Sequence, residues 1–262
     1  MPTLITIHLT ATEPLFFNPA WPLEERFRQI LARGGSSVPE EAAPAPYTLS
    51  PIWPVRTPGP PASPATALPY RWRVSLLDDA LTGPFLAGLQ KTPALEFDGR
   101  SLVVGQPDVQ LHSYDELAAG VRRQVGARPP AFRRVGLKFL TPVLLRRHRL
   151  SFPLPDPVAV FHHYLDGWDT FAPRELWVNV NLLDAVEMHL ETVDHQLETR
   201  RIRVPGGKMA AGFIGQVTYR VRQWQKLGPD FLAAVQMLAR FGEYCGTGEL
   251  TGHGLGQTRL LK

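Results

Sequence analysis

The chain has 262 residues, of which 44% are hydrophobic, and its formal net charge of +4 comes from 28 Lys and Arg against 24 Asp and Glu. This length and composition are sufficient for one large or two ordinary globular domains. No apolar run approaches the roughly 18 residues of a membrane span, and the first residues lack the basic start of a signal peptide, so we expect a cytoplasmic protein without membrane contact. The one cysteine, Cys245, excludes an internal disulfide and a cysteine-based zinc site.

The first half of the chain alternates strand and helix patterns. Residues 3–10 alternate as in a strand, and residues 22–33 begin with Pro and carry apolar side chains at helical spacing. A proline-rich crossing over residues 39–69, which contains the short strand YTLSPIW, precedes another strand, a helix and a pair of strands joined by a turn at Asp98–Gly99. We therefore predict a βαββαβ domain over residues 1–125.

The second half repeats this order with an added helical segment. The stretch RRQVGARPPAFRR marks the boundary, and the strand RVGLKFLTPVLL follows it. Helical patterns extend over residues 157–190, a turn is predicted at residues 200–208, and the strand GFIGQVTYRVR leads into the helix DFLAAVQMLARFG. We predict a second βαββαβ domain over residues 126–262, with a helical insertion.

Five glycines crowd the stretch GTGELTGHGLGQTRLL at residues 246–261, just before a strand-like tail. Glycine loses the most backbone freedom on folding, so this density indicates either tight turns or close approach of the backbone to another group, such as a phosphate. No Gly-Lys-Ser/Thr follows, as a nucleoside-triphosphate loop requires, and no helix follows, as a dinucleotide fingerprint requires. A turn-rich hairpin and a phosphate-binding nest of amides both remain open.

Basic residues are concentrated in two windows that contain no acids. Nine lie between Glu116 and Asp156 and seven between Glu198 and Asp230, so the windows hold sixteen of the 28 basic residues. A solvated face would explain one such window. Two such windows favour a polyanionic partner, because arginines neutralise phosphates and donate paired hydrogen bonds to them.

Residues 212–221, the helix after them and the glycine loop resemble the C-terminal half of the CRISPR repeat-RNA endoribonucleases of the repeat-associated mysterious protein (RAMP) superfamily, which carry a G-x-G-x-x-T-x-x-G-x-G type loop. VGLKFLTPVLLRR at residues 135–147 is similar to the strand that opens their second domain, and PYTLSPIWP and RWRVSLLDDAL are similar to parts of the first. The resemblance implies an α+β fold of two tandem ferredoxin-like (RRM-like) βαββαβ domains, which agrees with the predicted order of elements.

The resemblance also implies metal-independent cleavage of precursor CRISPR RNA within the repeat. The ribose 2′-OH attacks the adjacent phosphate and leaves a 2′,3′-cyclic phosphate and a 5′-OH, with no cofactor. The expected partners are the repeat RNA hairpin, as precursor and as mature guide RNA, and other CRISPR effector subunits. Two alternatives stay open: an RNA-binding structural subunit without cleavage activity, and an unrelated basic enzyme whose glycine loop holds the phosphate of a small molecule.

Many family members supply a histidine shortly after the first strand, but none occurs here over residues 9–111. The same region offers Arg26 and Arg33, which share one flank of the predicted helix, whereas Arg28 lies on the other. Arginine stays protonated, so it can hold a phosphate and stabilise the transition state but cannot be an efficient base. We therefore expect a slow enzyme, similar to type IV CRISPR relatives that lack the histidine, with Arg240 as a third catalytic candidate. Ordinary surface charge is the competing interpretation.

The predicted RNA-binding residues are the basic side chains of the two windows and members of the glycine loop. They are Arg122, Arg123, Arg128, Arg133, Arg134, Arg146, Arg147, Arg149, Arg200, Arg201, Arg203, Lys208, Gly252, His253, Gly254, Gly256 and Arg259. Because these residues would track phosphates, RNA binding should weaken steeply as salt rises.

Other polar and aromatic residues have alternative interpretations. Tyr47 either supplies a hydroxyl near a first-domain site or packs in the core, and His253 either reaches RNA or is an exposed loop residue. Trp168 and Trp177 are predicted to pack in a core. No metal site is predicted from the four histidines between residues 162 and 195, which lack cysteine partners and H-E-x-x-H spacing. These histidines are His162, His163, His189 and His195.

Overall fold

The computed structural model describes residues 1–15, 20–39, 42–55, 67–97, 99–147, 150–178, 181–204 and 207–261. The chain forms two compact units. Pro2–Leu111 and Gly252–Gly254 make up the N-terminal unit, and Met1, His112–Thr251 and Leu255–Lys262 make up the C-terminal unit. The domain boundary predicted between residues 125 and 126 stays a prediction. Within the described ranges, no helix is long and apolar enough to cross a membrane.

The N-terminal unit is an antiparallel sheet with two helices. Its first strand, β1, pairs with β4 on one side and with β6 and β7 on the other, and β2 and β3 extend the sheet beyond β4. The elements are β1 (Thr3–Ala11), α1 (Ala20–Arg33), β2 (Tyr47–Leu49), β3 (Trp53–Pro54), β4 (Leu68–Leu76), α2 (Thr82–Gln90), β5 (Ala94–Phe97), β6 (Arg100–Val104) and β7 (Asp108–Leu111). A central first strand between the third and last strands of a βαββαβ unit is the ferredoxin-like arrangement.

Alternation along β1 decides which face of this sheet is covered. Ile5, Ile7 and Leu9 are buried, as are Phe27 and Leu31 of α1. The helix therefore packs its apolar stripe on one face of the sheet, as the sequence pattern predicts. The two helices also approach at backbone distance: a Cβ on Gly88 would lie 1.8 Å from the Ile30 carbonyl oxygen. This packing fixes the position of α1, which carries several of the candidate site residues.

The C-terminal unit repeats the arrangement. Its sheet has the order β11-β12-β8-β13, again with the first strand between the third and last. The elements are α3 (Tyr114–Ala127), β8 (Arg134–Val143), β9 (Arg146–Arg147), β10 (Leu150–Ser151), α4 (Pro157–Phe171), α5 (Leu182–His189), β11 (Leu190–Arg203), β12 (Met209–Val221), α6 (Trp224–Cys245) and β13 (Thr258–Leu260). The α+β class and the helical insertion, α5 following α4, match the prediction.

Three local predictions differ from the structure. The stretch 94–113 contains three strands, because β7 adds to the predicted pair, and Asp98 of the predicted turn lies outside the described residues. Residues 200–203 continue β11 instead of turning. Helix α6 begins six residues earlier than predicted, with a break at Gly228, whose φ is 80°. Pairing with β1 accounts for β7, and pairing with β12 accounts for residues 200–203.

Candidate active site

Four polar side chains of the N-terminal unit meet beside α1. Glu24 and Arg28 lie about one helical turn apart on α1, and Tyr47 begins β2. His253 belongs to the short segment Gly252–Gly254, which is part of this unit. We refer to these four residues as the α1 cluster.

The carboxylate of Glu24 is the centre of the α1 cluster. Nε2 of His253 lies 2.6 Å from its Oε2 atom. The other oxygen, Oε1, accepts hydrogen bonds from the Tyr47 hydroxyl at 2.7 Å and from Nε and Nη2 of Arg28 at 3.1 and 2.9 Å. Arg28 also donates from Nη1 to the Val38 carbonyl oxygen at 2.6 Å. One carboxylate oxygen is thus fixed by the framework, and the other faces the imidazole.

The hydrogen bonds keep Glu24 ionised. Burial raises the pKa of this carboxyl, but hydrogen bonds from His253, Tyr47 and Arg28 outweigh that effect and lower the pKa from 4.5 to about 2. Burial raises the pKa of the Tyr47 hydroxyl, and its hydrogen bond to Glu24 adds to the rise. Burial lowers the pKa of Arg28, but its hydrogen bond to Glu24 more than offsets this, so the net pKa is raised. The cluster therefore holds a carboxylate, a neutral phenol and a guanidinium at neutral pH.

Packing explains why these residues meet. The Tyr47 ring stacks on Phe27 of α1 with centroids 4.1 Å apart, which directs the hydroxyl towards Glu24. The loop that carries His253 comes close to the same ring, because a Cβ on Gly252 would lie 3.0 Å from Tyr47 Cε2. A larger residue than glycine at position 252 would force the loop away from Tyr47. Tyr47 therefore both packs in the core and contributes its hydroxyl to the cluster.

The α1 cluster can support proton transfer. A histidine paired with a carboxylate is held in one ring orientation. The His253 side chain keeps 22% of its surface exposed, against 18% for Glu24, so the imidazole is the more accessible partner of this pair. In the part of the chain that the structure describes, no group of three or more His, Cys, Asp or Glu residues could hold a metal ion.

Arg26 and Arg33 both bond to the segment that enters and forms β5. Nε of Arg26 donates to the Glu96 carbonyl oxygen at 2.8 Å, and its guanidinium lies over the Phe97 ring at 5.8 Å. Nη1 of Arg33 donates to Thr92 Oγ1 at 2.8 Å. Both arginines are thus on the flank of α1 that faces β5, whereas Glu24 and Arg28 are on the flank that faces Tyr47.

Arg240 lies in the C-terminal unit, apart from the other two catalytic candidates. Its Nη2 donates to Oε1 of Gln124 at 2.5 Å. It lines a cavity of about 920 Å³ together with His112, Arg134 and Tyr244. The hydroxyl of Tyr244 and Nδ1 of His112 lie 3.0 Å apart. Arg26, Arg33 and the α1 cluster all belong to the N-terminal unit.

The predicted RNA-binding cations of the described residues are exposed. Two of them have acidic partners: Nε of Arg146 lies 2.8 Å from Glu249, and Nη2 of Arg200 lies 2.7 Å from Glu198. Arg149 and the side chain of Arg147 lie outside the described part of the chain. The remaining exposed cations are Arg122, Arg123, Arg128, Arg133, Arg134, Arg201, Arg203, Lys208 and Arg259.

The glycine loop is packed by its own backbone. The Gly256 amide donates to the Pro142 carbonyl oxygen at 2.9 Å, and its carbonyl accepts from the Thr247 amide at 2.8 Å. A Cβ on Gly256, whose φ is 66°, would lie 2.1 Å from the Thr247 carbonyl oxygen. The Gly256 amide, predicted to face a phosphate, is therefore occupied within the fold. Gly252 and Gly254 are buried beside Tyr47 and Pro51.

Trp168 is fully buried, as predicted, but Trp177 is not. The Trp177 side chain is 48% exposed, and the Arg174 guanidinium lies 5.5 Å from its ring centroid. It follows the end of α4 in an irregular segment and lines an open cavity of about 460 Å³ with residues of α5 and α6, so its ring is only partly covered. The prediction that Trp177 packs in a core is wrong.

Comparison with known proteins agrees with this architecture. Residues 137–258 match the family model of CRISPR-associated endoribonuclease Cas6. A Cas6 endoribonuclease of Streptococcus thermophilus is 27% identical over 122 residues, which are 47% of this chain and 48% of that protein. The predicted resemblance to the CRISPR repeat-RNA endoribonucleases is confirmed. The Cas6-like match spans about half the length of this curated relative.

Solved Cas6 structures share the fold over the whole chain. A Cas6 product complex has a TM-score of 0.77 at 24% identity and covers 100% of both chains. Thermus thermophilus Cas6 has a TM-score of 0.70 at 24% identity, covering 100% of this chain and 98% of its own. A RAMP protein that binds different RNA substrates has a TM-score of 0.56 at 15% identity. The tandem ferredoxin-like fold is thereby confirmed.

Sequence reasoning did not select Glu24 as a site residue. A Glu and an Arg at i and i+4 on a helix usually form a solvent-exposed pair, so Glu24 and Arg28 carried no functional signal. His253 was noticed because it interrupts the glycine loop. No local pattern could have joined it to Glu24, which lies near the other end of the chain.

Proposed function

We propose that the protein is a metal-independent endoribonuclease that cuts precursor CRISPR RNA within the repeat and stays on the guide RNA hairpin as a subunit of an effector complex. The observation that carries the proposal is the His253–Glu24 pair. Cleavage without a metal ion needs a group that transfers protons near neutral pH, and histidine is the side chain suited to that task. The name of the Streptococcus thermophilus relative supports the activity, and the Cas6 product complex supports retention of the product.

The reaction assigned to this site is an internal transesterification. The 2′-oxygen forms a bond to phosphorus as its proton passes to the His253 imidazole, and the bond from phosphorus to the 5′-oxygen breaks. The leaving oxygen takes a proton from solvent, which gives the 2′,3′-cyclic phosphate and the 5′-OH. Glu24 stabilises the imidazolium that forms and keeps the ring in one orientation.

Arg26 and Arg33 are proposed to hold RNA phosphates rather than to transfer protons. Successive helical residues are about 100° apart, so these two arginines lie on the side of α1 opposite to Glu24. Their hydrogen bonds to Glu96 and Thr92 hold the guanidinium groups in place beside β5. They would therefore contact the RNA at a phosphate other than the one nearest His253. Membership of the branch associated with type IV systems stays a prediction.

The exposed arginines of the C-terminal unit are proposed to bind the stem of the repeat hairpin. A-form RNA is contacted mainly through its phosphates and 2′-hydroxyls, and arginine donors suit both. Arg201 and Arg203 lie near the end of β11, and Lys208 lies at the start of β12. β11 and β12 pair with each other as far as Arg203 and Met209, but β12 pairs with β8 only from Phe213 onward. The basic end of the β11–β12 hairpin therefore extends beyond the part of β12 that pairs with β8.

The experiment that tests the proposal is incubation of the purified protein, in EDTA, with the repeat RNA transcribed from the CRISPR array of the same genome. A single cut whose upstream fragment ends in a cyclic phosphate supports the proposal. Tight binding without a cut would instead favour the structural RNA-binding subunit. A protein that neither binds nor cuts the repeat RNA would favour the unrelated basic enzyme, whose glycine loop holds the phosphate of a small molecule.

A further inference from the structure

The face of the N-terminal sheet opposite α1 carries a row of planar side chains. Trp53 of β3, Arg71 of β4 and His8 of β1 are direct neighbours across three strands: Trp53 pairs with Arg71, and Arg71 pairs with His8. Alternation places their neighbours Ile7 and Trp72 on the buried face. We call Trp53, Arg71 and His8 the β3-β4-β1 row.

Contacts within the row hold these side chains flat and accessible. The Arg71 guanidinium lies 5.9 Å from the centroid of the Trp53 ring. Nε2 of His8 lies 2.7 Å from Oδ2 of Asp108 on β7, with 52% of the His8 side chain exposed. Arg71 is exposed and Trp53 is half-buried. The Asp108 carboxylate is thus paired with His8, and the guanidinium gives the row its positive charge.

We propose that the β3-β4-β1 row binds unpaired nucleotides of RNA by stacking their bases on Trp53 and Arg71. Neighbouring strands lie about 4.8 Å apart, so three planar groups on adjacent strands form a continuous surface for consecutive bases. Aromatic rings and guanidinium planes accept any base, and Arg71 also attracts the phosphate backbone. This inference rests on the proposed function only in taking RNA as the ligand.

A protein partner is a weaker fit to the row. Interfaces between proteins are centred on apolar side chains that become fully buried. The row instead consists of one indole, one guanidinium and one imidazole paired with a carboxylate, and its exposed aliphatic neighbours include single valines such as Val55, two residues after Trp53, and Val103, opposite Thr10 on β1. Planar and cationic groups on a flat sheet favour single-stranded RNA.

The test compares two RNA probes by fluorescence anisotropy with the full chain in EDTA: unstructured oligouridine and a blunt RNA hairpin of equal length. Trp53→Ala should weaken oligouridine binding about 10-fold, as expected for the loss of one stacked base. Arg71→Ala should weaken it as well, and Arg71→Lys should restore only part of the loss, because lysine keeps the charge but not the plane. Both variants should bind the hairpin like the wild type.

Arg100→Ala is the matched control, since it removes one cation from the same unit, near Glu13 and outside the row. Trp53→Phe is the second variant, and it should retain most of the oligouridine affinity. Equal weakening of both probes by Trp53→Ala, or oligouridine affinity unchanged by both Trp53→Ala and Arg71→Ala, would overturn the inference. Wild-type protein that binds oligouridine but neither binds nor cuts the repeat RNA would support the row and contradict the proposed function.

Discussion

Nε2 of His253 lies 2.6 Å from Oε2 of Glu24, although the two residues come from opposite ends of the chain. The carboxylate that receives this contact has its other oxygen held by Tyr47 and Arg28. A buried charge held on one side in this way orients a single partner on the other. The pair therefore gives His253 the fixed orientation that a proton-transfer residue needs.

Replacing His253 by Ala should lower the single-turnover cleavage rate by about 10²- to 10⁴-fold, the range expected for loss of a general acid or base. RNA affinity should change little, because the imidazole is one contact among many. His162→Ala is the matched control, since His162 is an exposed histidine paired with Asp166 on α4. His253→Ala that cuts repeat RNA at the wild-type rate would remove His253 from the mechanism.

Glu24→Gln should make stability less dependent on pH. The pKa of Glu24 falls from 4.5 to about 2 on folding. Its stabilising effect is therefore complete above about pH 4.5 and is lost as pH falls towards 2, and it amounts to at most about 3 kcal/mol. Urea unfolding at pH 7 and pH 3 should show wild type losing more stability than Glu24→Gln between the two values.

Glu187→Gln provides the comparison for that measurement, because Glu187 is an exposed carboxylate on α5. Its pH dependence should follow that of the wild type. A wild-type protein and a Glu24→Gln variant that lose the same stability between pH 7 and pH 3 would show that the Glu24 hydrogen bonds do not favour its ionised form.

Arg26→Ala and Arg33→Ala test whether the opposite flank of α1 contributes to cleavage. Because these arginines are proposed to hold a phosphate other than the one nearest His253, removing one of them should reduce RNA affinity, whereas removing an ordinary surface charge costs almost nothing. We expect each variant to weaken RNA binding or slow cleavage, with the salt dependence of binding reduced. Arg26→Lys is the control, because lysine keeps the positive charge but lacks the Nε atom that donates to the Glu96 carbonyl oxygen. If both alanine variants keep the wild-type cleavage rate and RNA affinity, Arg26 and Arg33 are ordinary surface charges without a role in RNA binding or cleavage.

Gly256→Ala should destabilise the C-terminal unit by more than about 2 kcal/mol, because alanine is strained at a φ of 66° and its Cβ would overlap the Thr247 carbonyl oxygen. Gly120→Ala is the matched control: Gly120 lies within α3 with nothing within 4 Å of an added Cβ, so the change should stabilise by up to about 1 kcal/mol. Thermal unfolding measures both. A Gly256→Ala protein as stable as wild type would mean that the loop is not packed as described.

The strand and helix order was predictable, and the departures from it have local physical causes. The alternation of apolar residues predicts β1 and their helical spacing predicts α1, because each element buries one face. β7 was missed because all four of its residues are exposed, which leaves no alternation to read. β11 lacks a readable alternation over most of its length for the same reason, since eleven of the thirteen residues from Glu191 to Arg203 carry polar or exposed side chains that only pairing with β12 orders.

The candidate site was predictable only in part. Helical spacing was enough to separate Arg26 and Arg33 from Arg28. The contact between Glu24 and His253 depends on the fold of the whole chain, and the role of Gly256 depends on the Pro142 carbonyl, so neither can be derived from neighbouring residues. Trp177 shows the opposite error, because its apolar ring beside a helix predicts burial, whereas it lines an open cavity and stays 48% exposed.

The central claim is that the 2′-hydroxyl of the RNA is the nucleophile and that no metal ion is needed. The most direct measurement is cleavage, in EDTA, of two repeat RNAs that differ only in a single 2′-deoxy substitution at the nucleotide before the cut. We predict that the unmodified RNA is cut once, that the substituted RNA binds equally well, and that it stays intact. Cleavage of the substituted RNA at the same position, or cleavage of the unmodified RNA only after a divalent metal is added, would contradict the claim.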